Sequence, residues 1–392
     1  MSVSQTVKPP VKGNAGRRKW DAIVVGCGIM GASTSYNLAK RGLRVLTLER
    51  YGVNHNFGSS HGETRIIRLA YYEDPRYVPL LRRAYDSWRE VEKRSGKKLL
   101  QITGGLMIGA PDGELLTGVL KSAKTHSIPH EVLSSSETEA RFEAFTLNVG
   151  MSAVYEKSAG ILFAEECVRA LVGLASEEGC EFRFAEQVTQ VRGGQEGVEV
   201  ETPAGTYSAD RLILCGGAWN GGLSMGAVPL VCERQVPLWF SSGGLVSFTP
   251  QRMPIFIMEE TPAVFYYGIP DVGSGVKVAR THGGEVSDPD RVRREVTESD
   301  VAPVREFVSR HFKTLGRPIA STTCIYSNTP DLNFAVGQLA SDRRITLVNA
   351  CSGHGFKFGS VMGEVAADFA MGRRPEFDIS FLSPDRFAKP GG

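Results

Sequence analysis

Trp20-Asp21-Ala22-Ile23-Val24-Val25-Gly26-Cys27-Gly28-Ile29-Met30-Gly31, continued by Ala32 to Arg41 and then by Arg44-Val45-Leu46-Thr47-Leu48-Glu49, decides the fold. The short apolar run is β-branched and reads as a buried strand. A glycine turn, a helical stretch, a second strand and an acid follow within about 30 residues, which is a complete βαβ unit. Gly26 permits the tight turn, Gly28 lets backbone approach a pyrophosphate at the helix N-terminus, and Gly31 lets helix and strand pack closely. Glu49 is placed to accept hydrogen bonds from an adenosine ribose, and an acid there disfavours a 2′-phosphate. The competing reading of the same stretch is a plain doubly wound domain with no ligand.

Outward from this unit, Pro75 to Arg94 carries apolar residues at helical spacing (Tyr77, Leu80, Leu81, Ala84, Tyr85, Trp88, Val91). Gly104 to Ile108 reads as a strand, Cys167 to Glu178 as a helix, and Gly197 to Tyr207 as a hairpin turning around Pro203 to Gly205. Leu212 to Cys215 is a further buried strand, ending in Gly216-Gly217-Ala218-Trp219-Asn220. From about Val228 to Val278 short β-type runs alternate with Gly and Pro, which points to an antiparallel sheet. Ile345 to Ala350 is a last buried strand, followed by Cys351-Ser352-Gly353-His354-Gly355-Phe356-Lys357 and a helix to about Met371. A nucleotide-binding domain therefore opens and closes the chain, with a β-rich domain inserted.

Composition bounds what this architecture does. The 392 residues fit two domains, with 42% hydrophobic and 22% charged residues in the globular range. Lys and Arg number 45 against 43 Asp and Glu, for a formal charge of +2 without a basic stripe, so nucleic acid is not an expected partner. Seven cysteines without a CxxC pair suggest neither a disulfide framework nor a metal site, and fit a reducing compartment. No apolar run is long enough to span a bilayer and the N-terminus lacks a signal-peptide stretch, so a cytoplasmic protein is expected. Residues 1–19 read as a flexible leader, and the ending Lys389-Pro390-Gly391-Gly392 lacks a peroxisomal SKL-type signal. The 44 glycines exceed the usual ~7% and have no period, so backbone must turn tightly or approach a ligand in several places.

Two segments carry unusual chemistry. Ser352-Gly353-His354-Gly355 lies between a buried strand and a helix start, so backbone N–H groups and a positive helix end face whatever binds there. A reduced flavin ring, electron-rich at N1 and the C2 carbonyl, suits such a site; a glycine-rich cap without a ligand is the alternative. Gly58-Ser59-Ser60-His61-Gly62-Glu63-Thr64-Arg65-Ile66-Ile67-Arg68 ends in two arginines three apart, which share a face if the segment is helical. They form either a solvated surface pair or, given Ile66 and Ile67 between them, a partly buried pair that requires an anion.

The fingerprint at 26–31, the segment 58–68, Tyr267-Gly268-Ile269-Pro270 with Lys277, Cys324-Ile325-Tyr326-Ser327-Asn328-Thr329-Pro330-Asp331, and Ser352 to Lys357 resemble, in order, monomeric sarcosine oxidase and its relatives N-methyltryptophan oxidase and pipecolate oxidase, within the D-amino-acid-oxidase-like superfamily. The resemblance implies an α/β, two-domain FAD enzyme. Its Rossmann-type FAD-binding domain would comprise 20–101, 161–225 and 326–392, and its inserted antiparallel substrate domain 102–160 and 226–325. It implies a flavin bonded through a thioether to Cys324, a residue that by itself reads as a small buried hydrophobe. It places a carboxylate clamp at Arg68 and Lys357, substrate-lining aromatics at Tyr267 and Tyr326, and an oxygen-activating cation at Lys277. Lys357, near a helix start, would need an anionic partner to hold it there. Further cofactor contacts are implied at Ile29, Met30, Glu49, Arg50, Ser59, His61, Thr64, Arg65, Val188, Gly353, Gly355 and Phe356. The chain departs from the family four positions after the lysine, where Thr281 stands in place of a histidine and His282 comes next.

The implied reaction is hydride transfer from the carbon beside a secondary amine to flavin N5, with imine hydrolysis and reduction of O2 to H2O2 by a monomer without metal. The amine must be neutral, which two nearby cations favour. The Tyr326 to Pro330 wording resembles pipecolate oxidases, and Gly217 to Asn220 resembles sarcosine oxidases. An FAD-dependent dehydrogenase or demethylase passing electrons to another acceptor is the alternative activity, and a nucleotide-binding module without redox chemistry the alternative class.

Overall fold

The computed structural model describes residues 20–194 and 197–388; the expected leader and the Lys389 to Gly392 ending lie outside them. The strand Trp20–Val25, the helix Ile29–Lys40 and the strand Val45–Leu48 form as the sequence predicts. Trp20–Val25 runs parallel between Val45–Leu48 and Gly205–Leu214. Glu181–Arg183 extends the parallel sheet beyond Val45–Leu48. The strand Gly205–Leu214 changes partner along its length. Its first half closes an antiparallel hairpin with Gly197–Thr202, and Leu212 to Leu214 pair in parallel with Ile345 to Leu347. The near-continuous apolar runs of the parallel strands are explained by burial on both faces: the helices Ile29–Lys40 and Gly359–Ala370 pack on one side, and the hairpin residues Val191, Val198 and Val200 belong to the cluster on the other.

Gly31 shows why the fingerprint needs glycine. A Cβ there would lie 1.8 Å from the carbonyl oxygen of Gly26, so the first helical turn can press on the strand-turn only without a side chain.

A second eight-stranded sheet has the order Pro318–Ser321, Leu238–Phe240, Val276–Thr281, Val264–Ile269, Ile255–Thr261, Gly105–Gly109, Ser152–Glu156, Glu131–Ser134. It is antiparallel except at one place: Ile255–Thr261 runs parallel to Gly105–Gly109, so the fully antiparallel expectation is corrected there. The helices Glu114–His126 and Glu298–His311, absent from the sequence reading, cover this sheet.

A small third sheet joins Thr64–Ile67, Gly160–Phe163 and Leu100–Ile102. The conditional helical reading of Arg65 and Arg68 fails here. Thr64–Ile67 is a strand with β-branched residues, Arg65 belongs to it, and Arg68 follows its end. The segment boundaries expected at 101/102, 160/161 and 325/326 fall inside the strands Leu100–Ile102, Gly160–Phe163 and Cys324–Asn328. Among the described residues, no helix is long and apolar enough to cross a membrane, and no cluster of His, Cys, Asp and Glu could hold a metal.

Candidate active site

A cavity of about 580 Å³ runs from the fingerprint turn to the second sheet. At one end lie Gly26, Gly28, Ile29, Met30, Glu49, Arg50 and Val188. The helix that begins at Ile29 has no side-chain cap from Gly28 and no acid in its first turn; the Ile29 N–H donates to Ser60 Oγ (3.0 Å) across the cavity wall, and the positive end is otherwise open to an anion. Glu49 is 4% exposed and accepts the backbone N–H groups of Cys27 (2.7 Å) and Tyr51 (2.8 Å), which aims its carboxylate along the cavity wall. Arg50 is held by Asp290 and stacks near Tyr51 and Trp219.

The other end is assembled from distant segments. Ser59, Arg65, Arg68, Tyr267, Cys324, Tyr326, Gly353, Gly355, Phe356 and Lys357 all border the cavity. Arg65 donates to the carbonyls of Ser59 (2.8 Å), His61 (2.6 Å) and Thr64 (2.8 Å), its guanidinium lies 3.7 Å from Cys324 Sγ, and it sits over the ring of Phe356. Cys324 is a buried free thiol on a strand paired with Val231–Gln235.

Arg68 is 1% exposed. Its Nη1 donates to the Ala70 carbonyl and its Nη2 to both oxygens of Glu73 at 2.9 and 2.7 Å, while Tyr71 and Tyr72 flank it. The anion that a buried arginine requires is therefore a protein carboxylate, and Arg68 Nε remains buried without a protein partner. Glu73, five residues along, was the residue that sequence reasoning missed; the demand for an anion was its signal.

Lys357 lies in a 3-10 turn before the helix Gly359–Ala370, and its Nζ donates to the His354 carbonyl; among the described residues no protein carboxylate forms an ion pair with it. Burial, with the nearby Arg68 charge, lowers its pKa to about 7, against a smaller opposing pull from Glu73. Burial likewise raises the Tyr267 hydroxyl to about 12.

Four expected site residues stand off the cavity wall: Gly31, His61, Thr64 and Lys277. Gly31 serves helix–strand packing. His61 is buried and its pKa falls to about 4, first through burial and then through Arg65. Lys277 Nζ donates to the carbonyls of Gly62 (2.7 Å) and Thr64 (2.9 Å). The structure instead adds Thr281 and His282 to the wall, with His282 Nδ1 3.2 Å from Glu233 and its ring edge-on to Tyr326. Gln235 borders it too, with a buried Nε2 that lacks a partner.

The sequence pattern of the family described as "DAO: FAD dependent oxidoreductase" matches residues 21–369. The chain belongs to this family. It is 39% identical to the monomeric sarcosine oxidase of Streptomyces avermitilis over 94% of this chain and 98% of that protein. It is 34% identical to the N-methyl-L-tryptophan oxidase of Yersinia pestis over 94% of this chain and 99% of that protein. Among solved structures, NikD, an amino acid oxidase of nikkomycin biosynthesis in its open form, superposes with a TM-score of 0.82 at 24% identity, covering 93% of this chain and 97% of that one. L-proline dehydrogenase from P. horikoshii gives 0.82 at 19% identity, covering 95% and 98%; these two show the fold.

As a DAO-family FAD-dependent oxidoreductase acting on CH–NH groups, the chain must hold FAD, and the cavity fits it. The helix end with Gly28, Ile29 and Met30, which carries no acid in its first turn, suits the pyrophosphate, and Glu49 the ribose. A second backbone approach, Gly353 to Phe356, borders the far end, where ring and substrate would lie, together with Arg68 and Gln235, each of which has a buried side-chain nitrogen without a partner. Gly355 allows that approach because a Cβ there would fall 1.8 Å from the Ala350 carbonyl oxygen.

Proposed function

We propose that this enzyme oxidises a secondary amino acid, such as sarcosine, another N-methyl amino acid, L-pipecolate or L-proline, to an imine that water hydrolyses, with O2 reduced to H2O2. The observation that carries the reading is the meeting of Arg68 and Lys357, from opposite ends of the chain, on one cavity wall with Tyr267, Tyr326 and the free thiol of Cys324. The near-full-length similarity to monomeric sarcosine oxidase supports it. When bound, FAD supplies the two-electron redox chemistry, accepting a hydride equivalent from the carbon beside nitrogen and yielding the electron pair to oxygen.

The chain's own residues bind and orient. Arg68 Nε and Lys357 Nζ hold the substrate carboxylate, with Glu73 fixing the guanidinium from behind. Their charge keeps the substrate amine neutral and ready to lose hydride. Tyr267 and Tyr326 shape the space around the amine substituent. Cys324 Sγ is the point of covalent attachment, and Lys277 supplies fixed positive charge for the oxygen reaction. The enzyme works as a cytoplasmic monomer; the seven free cysteines support a reducing compartment.

A peroxide assay over a panel of secondary and primary amino acids tests the activity. Peroxide with one or more secondary amino acids is expected. Flavin reduction without peroxide, with electrons passing only to artificial acceptors, would replace the oxidase by a dehydrogenase. For the attachment, acid-precipitated wild-type protein should keep its yellow colour and Cys324→Ala should release it; a coloured Cys324→Ala pellet would sink the assignment.

A further inference from the structure

The surroundings of Lys277 carry one step more. Its ammonium is 1% exposed and is caged by three things: the Gly62 carbonyl, the Thr64 carbonyl, and the indole face of Trp239 at 5.3 Å, which is its cross-strand neighbour. Glu63 is the residue between the two accepting carbonyls. Its φ is +70°, a left-handed conformation that costs a non-glycine residue backbone strain. Two sets of bonds impose that conformation. The Glu165 carboxylate accepts the backbone N–H groups of Gly62 (2.7 Å) and Glu63 (3.0 Å). The side chain of Glu63 accepts from Trp239 Nε1 (2.9 Å) and from Ser274 Oγ (2.7 Å), in the turn just before the strand that carries Lys277.

We infer that Glu63 is a positioning residue: by pinning Trp239 and Ser274 while its own peptide lies between the two accepting carbonyls, it fixes the cage that keeps Lys277 charged and aimed. The inference rests on the proposed role of Lys277 in the oxygen reaction. The charged and titratable groups around the ammonium are Arg65 from the Thr64–Ile67 strand, Cys324, Glu165, Glu63 and, on the same loop, His61. The pKa of Lys277 is lowered to about 7, chiefly by burial and then by Arg65, with Cys324, Glu165 and Glu63 opposing. A group near half-titration at neutral pH is where one carboxylate changes the charged population most. Direct contact with a bound flavin is not needed for this role.

The test uses Glu63→Gln, Trp239→Phe and Lys277→Met holoenzymes. Lysine side-chain NMR, with the Lys277 signal assigned through Lys277→Met, reads the titration midpoint directly. Reoxidation by O2 is followed across pH, with reduction by amine substrate and reoxidation by an artificial acceptor as controls. Glu63→Gln is expected to lower the midpoint by about one unit and slow O2 reoxidation at pH 7 about fivefold, the loss of ammonium that such a shift produces, while both controls hold. Trp239→Phe, which keeps a ring but removes the N–H that Glu63 accepts, should move the midpoint the same way by less, and it stands in should Glu63→Gln fail to fold. An unmoved midpoint and pH profile in the folded variants would overturn the inference. If Lys277→Met reoxidises at the wild-type rate, the oxygen role of Lys277 fails instead, and the NMR midpoint still decides whether Glu63 sets the charge.

Discussion

The two ends of the cavity are made by different means. The nucleotide end is built mainly from one contiguous unit, residues 20 to 49, in which backbone does the work and glycines let backbone come close. The reactive end is made of side chains delivered by segments hundreds of residues apart: Arg65 and Arg68, Tyr267 and Lys277, Cys324 and Tyr326, Lys357. Arg68, Lys277 and Lys357 are buried and Arg65 half-buried, and they are satisfied differently. Arg68 has a bidentate carboxylate, Arg65 has carbonyls and a thiol, and the two lysines have carbonyls and aromatic faces only. The first end is thus intolerant of volume and the second of charge imbalance.

The sharpest way to break the contrast is to add volume to the first end. Gly31→Val would drive branched carbon into the Gly26 carbonyl, backbone against backbone, where no side chain can yield. A loss above about 4 kcal/mol is expected, enough to remove folded FAD-loaded protein. Denaturant melting and the flavin absorbance per chain check it; near-normal melting with normal flavin content would show that the turn has slack the geometry denies.

The second end should fail through charge. Glu73→Ala leaves the Arg68 guanidinium buried with only the Ala70 carbonyl and two tyrosine rings, and a loss of about 3 kcal/mol is expected by chemical denaturation. Part of it should return in the presence of a small carboxylate such as acetate, because Glu73 lines the cavity and its removal opens the space beside Arg68 to it. No recovery at saturating carboxylate would mean that Arg68 serves packing rather than binding.

The same contrast explains what was legible in the sequence. The βαβ unit was readable because its determinants are local: strand, turn, helix and acid occur in order, and glycine is required wherever backbone meets backbone. The reactive end was readable only through its resemblance to known oxidases, since nothing in the spacing of Arg68 and Lys357 says that they meet. Partners that exist only in the folded chain stayed hidden. Glu73, Glu165 and Glu63 look like ordinary surface acids in the sequence; strand pairing of Thr64–Ile67 with Gly160–Phe163 brings Glu165 to the Gly62 and Glu63 backbone, while Glu73 meets Arg68 through the local fold of the chain after that strand. The helical reading of Arg65 and Arg68 failed for a related reason: a spacing of three is compatible with a helix, but Thr64, Ile66 and Ile67 find cross-strand partners that local periodicity cannot announce.

The smallest effect comes from titrating the second end without mutating it. Lys357 has its pKa lowered to about 7, chiefly by burial and then by Arg68, so it carries its charge below that pH and sheds it above. A carboxylate ligand favours the charged form. Its binding should therefore be flat on the acid side and weaken as pH rises through 7, by at most about tenfold per unit. Acetate or another carboxylate without an amine is the ligand of choice, because an amino acid adds the opposing titration of its own nitrogen, which must be neutral to react. Bound carboxylate also raises the lysine's pKa, so the weakening should begin at the midpoint of the free enzyme and level off at the higher midpoint of the complex, and the gap between the two reports the strength of the lysine–carboxylate contact. Lys357→Met should flatten the profile and weaken binding at pH 6. A profile that keeps its slope in Lys357→Met would move the titrating cation elsewhere on the wall and leave Arg68 as the sole holder of the carboxylate.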